Sequence, residues 1–230
     1  MLEAVSKTDI IYPSSDGEPV AETYIHLYAI LTTLEVLKQY LSGQQATVLA
    51  NQFMYYSQGL PRMRVAPDVM VIFNVEPGGR DNYKIWEEKE VPQVIFEMTS
   101  PGTKNQDQEF KKTLYEQLGV KEYWLFDPKG EWISEKLIGY RLRNNIYEII
   151  EDNISEPLQL QLTVEGQLIG FYRNDTGDKL LIPEELAAAL QQKETELQQK
   201  ETELQKEKQK LSDVESMLEK YRQQFGDLPE

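Results

Sequence analysis

The 230 residues include no cysteine and a single histidine, His26, which excludes thiol catalysis, disulfides, cysteine-ligated metals and multi-histidine metal sites. Any metal must be held by oxygen ligands, so the cofactor to look for is a hard dication, Mg²⁺ or Mn²⁺. A net charge of −15 opposes general polyanion binding, so nucleic acid has to be met through a local basic patch or a metal.

The opening stretch "MLEAVSKTDIIYPSSDGEP" lacks the basic end and apolar run of a signal peptide. No apolar run approaches the ~20 residues that span a bilayer. A soluble, cytoplasmic protein is therefore expected. Residues 21–41, "AETYIHLYAILTTLEVLKQYL", predict a largely buried helix, apolar on most sides. "ATVLANQFMYYS" and "VAPDVMVIFNV" predict strands, the second after a "GLPR" turn. "NVEPGGRDNYKIWEEKEVPQ" is a polar loop with a short helix. The strand "QVIFEMTS", a helix from Asp107 to Leu118 and the strand "KEYWLFD" follow. After the Pro128–Gly130 turn come strands at "ISEKLIGYRL", "IYEII" and "GQLIGFYRND". A leading helix, a strand meander and a strand–helix–strand crossover make residues 1–182 an α/β or α+β domain around one sheet.

Residues 183–230 differ in kind. Pro183, Glu184 and Glu185 open a helix in the manner that fixed φ and the helix dipole favour. "QQKETEL" occurs twice in succession, and Leu190, Leu197, Leu204, Leu211 and Leu218 recur every seven residues, with Phe225 next in the row. With these at a, the d positions are Leu186, Lys193, Lys200, Glu207, Val214 and Tyr221. The seam is either a coiled coil joining subunits into a homo-oligomer or recruiting a partner, or one face of a helix folded back on its own domain. Its half-charged d row leaves the oligomer order open.

Glu97, inside "VIFEMTS", is out of place in an apolar strand, because a carboxylate taken from water without a partner costs several kcal/mol on an order-of-magnitude scale. Asp68, after Pro67, heads the apolar run Val69–Phe73, and Glu97 follows 29 residues later in the next apolar strand. Neighbouring strands lie about 4.8 Å apart, so two acids on one face can share a cation. Alternatively, Asp68 is a strand-start or turn residue. In "DQEFKKTLYEQL", helical periodicity places Phe110, Leu114, Tyr115 and Leu118 on one stripe, with Asp107 and Lys111 inside it and Lys112 outside, in solvent. Lys111 meets either the acid pair or a phosphate, or pairs with Asp107 along its own helix. Glu22 and His26 share a face of the first helix. Glu22 is a further oxygen ligand or a first-turn acid stabilised by the helix dipole. His26 reads as a core-edge histidine, since metal-binding histidines seldom act alone.

The sequence "AET…H", followed by "VAPDVMVIF", "VIFEMTSPGT", "DQEFKKTLYEQLGVKEYWLFDP" and "SEPLQLQL", resembles the Uma-two family of restriction endonucleases, within the PD-(D/E)XK nuclease superfamily. The resemblance runs over about residues 15–185 and leaves the heptad tail outside. It implies a restriction-endonuclease-like fold, a central mixed sheet flanked by helices, and a Mg²⁺-dependent phosphodiesterase site or its remnant. Carried over, Asp68 is the aspartate of the "PD" motif and Glu97 the acid of the (D/E)XK motif. Thr99 stands where the lysine is usual, and Lys111 of the next helix is the matching basic residue. Glu22 matches the acid of the leading helix. Metal ligands are then Asp68, Glu97 and the carbonyl near Met98, with Lys111 assisting. Arg62, Arg64 and Lys104 are candidate phosphate contacts beside Lys111.

Three functions fit these residues: a metal-dependent DNA endonuclease, a catalytically inactive nucleic-acid-binding or regulatory module on the same fold, and an assembly protein built around the helical tail. A glycosidase-type acid pair is a distant fourth, requiring an open sugar cleft and no metal.

Overall fold

The computed structural model describes residues 10–17, 23–100, 102–103 and 105–226. The chain divides into two compact units, Met1–Ile182 and Pro183–Glu230. Glu22, Lys104 and the opening nine residues lie outside the described residues.

In the first unit, helix α1 (Tyr24–Tyr40) starts at Thr23, whose hydroxyl accepts the His26 backbone N–H at 3.4 Å. It buries Ala29, Ile30, Thr33, Val36 and Leu37, one face at helical spacing. The expectation of burial on most sides is corrected here. Tyr24 is 77% exposed, Leu27 42% and Leu31 48%, because α1 packs on a single sheet face and its opposite side meets solvent.

The central sheet has six strands: β1 (Ala46–Ala50), β4 (Val69–Phe73), β6 (Val94–Met98), β7 (Glu122–Phe126), β8 (Leu137–Arg143) and β9 (Ile146–Ile150), hydrogen-bonded in that order. All neighbours are antiparallel except β6 and β7. That parallel pair needs a crossover, supplied by a π-helical turn (Gln106–Lys111) running into α3 (Lys112–Leu118). Gly119, at φ +85°, ends α3 in the left-handed conformation that glycine reaches without strain. The mixed α+β architecture, with its central mixed sheet, is the expected one, as is the long helix α4 (Pro183–Phe225).

Both sheet faces are covered, so every residue of β6 and β7 is buried and each strand reads as a near-continuous apolar run. Val48, Val69, Val94, Phe96, Trp124 and Phe126 face α1 and the strands β11 (Leu160–Glu165) and β12 (Leu168–Arg173). Leu49, Met70, Ile95, Tyr123 and Leu125 face the other way, toward Tyr115 and Val120 of the crossover and toward Met54, Val65 and Tyr83. Those last three come from a small sheet of β2 (Met54–Tyr55), β3 (Arg64–Val65) and β5 (Tyr83–Lys84).

Three expectations change. "ATVLANQFMYYS" is two strands in two sheets, because Asn51 turns left-handed at φ 51° and gives its N–H to Pro67 of the neighbouring segment. "SEPLQLQL" runs from the last residue of β10 (Ile154–Ser155) into the start of β11, strands that periodicity did not mark. The short polar helix is α2 (Ile85–Glu88), preceded directly by β5. No helix among the described residues is long and apolar enough to cross a membrane.

Candidate active site

Antiparallel pairing explains how two acids far apart in sequence meet. Val69 pairs with Phe96, so the head of β4 lies against the C-terminal end of β6. Asp68 stands just before that head, and its Oδ2 accepts the Met98 backbone N–H at 2.7 Å. In a strand the N–H and C=O of one residue project to the same side, so the Met98 carbonyl also faces β4. Glu97 projects to the face that Ile95 shares, under the crossover helix.

Glu97 is 1% exposed. Its Oε2 lies 2.8 Å from the Lys111 ammonium, and its Oε1 accepts the Tyr115 hydroxyl at 2.9 Å. Lys111 also reaches Asp107 Oδ1 at 3.1 Å. The two alternatives for this lysine are therefore both realised: it pairs along its own helix and with the strand acid. Asp68, Glu97, Met98, Asp107, Lys111 and His26 line one cavity of about 300 Å³. His26 is half-buried on the cavity wall; its Nε2 sits 3.7 Å from Asp68 Oδ2, with 18% of its side chain exposed. Thr99, in the place usual for lysine, is buried on the cavity wall.

Burial pushes the Glu97 carboxyl up to about 8; the Lys111 charge opposes that shift, and the nearby Asp68 and Asp107 charges reinforce it. Lys111 is raised above its ordinary value: its burial acts to lower it, and the three acids Glu97, Asp107 and Asp68 outweigh that. The Tyr115 phenol is raised well above its ordinary value, first by burial and then by Glu97, so it stays a donor. This is a cavity with more acid than base, held together by one ammonium.

The crossover also corrects two placements. The π turn closes i→i+5 and inserts an extra residue, rotating what precedes α3 relative to an unbroken α-helix. Phe110 consequently leaves the apolar stripe and is 52% exposed. Lys112 is not in free solvent; its ammonium lies 3.9 Å from the centre of the Tyr140 ring. Arg62 and Arg64 do not line the cavity. Arg64 stacks its guanidinium 4.2 Å over the Phe53 ring, in the region of the small sheet, and Arg62 is exposed. Among the described residues Lys129 also lines the cavity, with Glu131 Oε1 at 3.8 Å.

Sequence reasoning missed Tyr115 as a site residue and read it as core. The signal was present: Asp107, Lys111 and Tyr115 recur every four residues, a polar row within an apolar stripe. Asp127 was also missed. Its carboxylate accepts the N–H groups of Gly130, Trp132 and Ile133 at 2.8–3.1 Å and shapes the turn that walls the cavity.

A family model, "Uma2: Putative restriction endonuclease", matches residues 2–171. The chain belongs to this family. A restriction-endonuclease family acts on nucleic acid, and Asp68 and Glu97 lie within the matched span. Among solved structures, the chain is similar to a putative nuclease belonging to DUF820 from Anabaena variabilis ATCC 29413. The two share 16% identity with a TM-score of 0.43, over 60% of this chain and 72% of that one. No curated protein matches the chain.

Proposed function

We propose that this Uma2 member is a divalent-metal-dependent endonuclease hydrolysing phosphodiester bonds of DNA. The observation that carries the reading is the convergence of Asp68, Glu97 and the Met98 backbone on one cavity, with Lys111 bonded to Glu97 at 2.8 Å. Among the described residues, no group of three or more His, Cys, Asp or Glu side chains is arranged to hold a metal. The donor set nevertheless fits one hard cation when the backbone is included: two carboxylates and the Met98 carbonyl, all oxygen. Each Glu97 oxygen keeps a second lone pair beyond its Lys111 or Tyr115 bond. A buried acid raised to about 8 by burial and neighbouring acids is a group that a dication would relieve.

When bound there, Mg²⁺ or Mn²⁺ would supply a water of lowered pKa and charge neutralisation at the phosphate. The chain's own residues do the rest. Asp107 and Glu97 both accept from the Lys111 ammonium, which is raised above its ordinary value, so it acts as a fixed positive charge for phosphate oxygens and not as a base. Tyr115 fixes the rotamer of Glu97, and the Met98 N–H fixes Asp68. Lys129, which also lines the cavity, is a candidate contact to the DNA backbone. Glu22 remains a candidate further acid. The cysteine-free composition supports a reducing, cytoplasmic setting.

The leucine row of α4 supports a second module, residues 183–230, that joins copies of the chain into a homo-oligomer. The test of the nuclease reading is plasmid nicking with Mg²⁺ or Mn²⁺, which Asp68→Asn and Lys111→Ala should each abolish while the protein stays folded. Nicking that survives both substitutions rejects the assignment. A folded wild type inert with every divalent ion on DNA and RNA would favour the inactive module.

A further inference from the structure

Helix α4 leaves its leucine row uncovered: Leu190, Leu197, Leu204, Leu211 and Leu218 are between 39% and 61% exposed. Beside it, Val214 and Tyr221 are 60% and 47% exposed. The intervening row changes character along the helix, with Lys193, Lys200 and Glu207 in the first part and Val214 and Tyr221 in the last. That asymmetry bears on direction.

We propose that α4 pairs with α4 of a second copy in the antiparallel sense, centred between Gln205 and Lys206. The inference rests on the self-pairing reading given above and adds its orientation and register. In a parallel, in-register pair each position meets its own counterpart. Lys193, Lys200 and Glu207 would then each face an identical charge across the seam, three unfavourable layers out of the six in the row. Glu196 would also flank Glu201 of the second copy.

An antiparallel pair instead sets each leucine against a residue of the other row. Leu190 then faces Tyr221 of the second copy, and Leu197 faces Val214. Near the centre Leu204 faces Glu207, and further on Leu211 faces Lys200 and Leu218 faces Lys193. No lysine layer meets its own kind. The lysine stems can lie along leucine while their ammonium groups reach water, each with an acid three residues on, Glu196 for Lys193 and Glu203 for Lys200. Glu207 approaches its counterpart only at the centre, where Lys206, Lys208 and Lys210 are within one turn. Flanking pairs Glu201–Lys208 and Glu203–Lys210 are opposite in sign there, while Glu194 flanks Glu215 of the second copy, a like-charge pair that offsets Glu196–Glu201 of the parallel arrangement. In a parallel pair, Glu203–Lys208 and Lys210–Glu215 are also opposite in sign, so the flanks do not discriminate; the seam layers do.

The full chain has no cysteine, so one introduced thiol is the only labelling point. Spin labels go on Ala188→Cys and, separately, Gln205→Cys, both exposed positions away from the leucine row. Light scattering should give a dimer. Pulsed electron resonance should give about 50 Å between the two 188 labels, from ~1.5 Å of rise per residue, and under about 25 Å between the two 205 labels. Short distances at both positions would overturn the antiparallel assignment and leave self-pairing standing. A monomeric mass with no resolved distance would overturn self-pairing as well. Neither outcome touches the nuclease reading, which plasmid nicking tests by itself.

Discussion

Two buried glutamates sit on adjacent parallel strands, and their surroundings differ: one is enclosed by packed protein, the other opens onto a cavity. Glu122 opens β7 and is 0% exposed; Glu97 lies near the end of β6 and is 1% exposed. Val94 pairs with Glu122 and Glu97 with Leu125, so the two acids occupy opposite ends of the pair, and they face opposite sides of the sheet. Glu122 Oε1 takes Arg141 Nε and the Glu156 N–H, both at 2.9 Å, and its Oε2 takes the Trp124 indole N–H at 3.2 Å. A guanidinium, an indole and a backbone amide satisfy it within packed protein. Glu97 instead has one ammonium, shared with Asp107, and one phenol, and it opens onto a cavity with a second strand acid. Burial is equal in the two. What differs is the count of donors against charges and the presence of open space.

Substitution should separate the pair most sharply. Glu97→Gln keeps the shape and the Tyr115 bond, so folding should persist while cleavage falls by about 10³-fold or more, read by plasmid nicking. Glu122→Gln should do the reverse, costing about 3 kcal/mol by leaving Arg141 under-compensated, with a Tm lowered by roughly 6–10 °C and the folded protein still cleaving. Equal effects of the two on cleavage would erase the distinction.

The pH dependence follows from the direction of the Glu97 shift. Its native value of about 8 lies above the ordinary 4.5, so the native state holds a proton that the unfolded state has lost. Metal-free stability should therefore fall as pH rises from about 4.5 to about 8, by a few kcal/mol at ~1.4 kcal/mol per unit. Lys111, raised, contributes stability that is present below its ordinary value and lost only in strong alkali, outside this window. Urea melts of wild type and Glu97→Gln across that range check it; the slope should vanish in the variant.

Tyr115→Phe removes one hydroxyl and keeps the ring packing. Divalent-metal affinity should weaken by about 10-fold, since groups orienting a ligand are worth that much, while Tm moves by only a few degrees. Calorimetric titration with Mn²⁺ checks it. The smallest effect belongs to Lys112→Ala, which loses the Tyr140 ring contact at about 0.5–1 kcal/mol and should leave cleavage unchanged.

Much of the site was legible because its residues violate local rules. Glu97 interrupts an apolar run, Asp68 precedes another, and Lys111 lies in a helical stripe that is otherwise apolar. Such misfits show in one dimension because strand and helix periods are local. The Lys112–Tyr140 contact and the exposed Phe110 were not legible, because both depend on the phase that the π turn imposes on the crossover. The break at Asn51 escaped as well. Its left-handed turn is stabilised by a hydrogen bond to Pro67, 16 residues away, and not by its neighbours.

The chain by itself determined most of the run of strands and helices, the family, the oxygen-only chemistry open to a metal, and the two acids and lysine that break their patterns. Each of these follows from residue type and short-range spacing. Only the tertiary structure decided that β4 runs antiparallel to β6, bringing Asp68 to the Met98 amide, and that Lys111 answers Asp107 and Glu97 together. It also decided that His26 lines the cavity beside Asp68 and that the Tyr115 hydroxyl donates to Glu97. The physical reason is that strand direction, helix phase and the partner of a buried charge are set by contacts between segments distant in sequence, which no local period encodes.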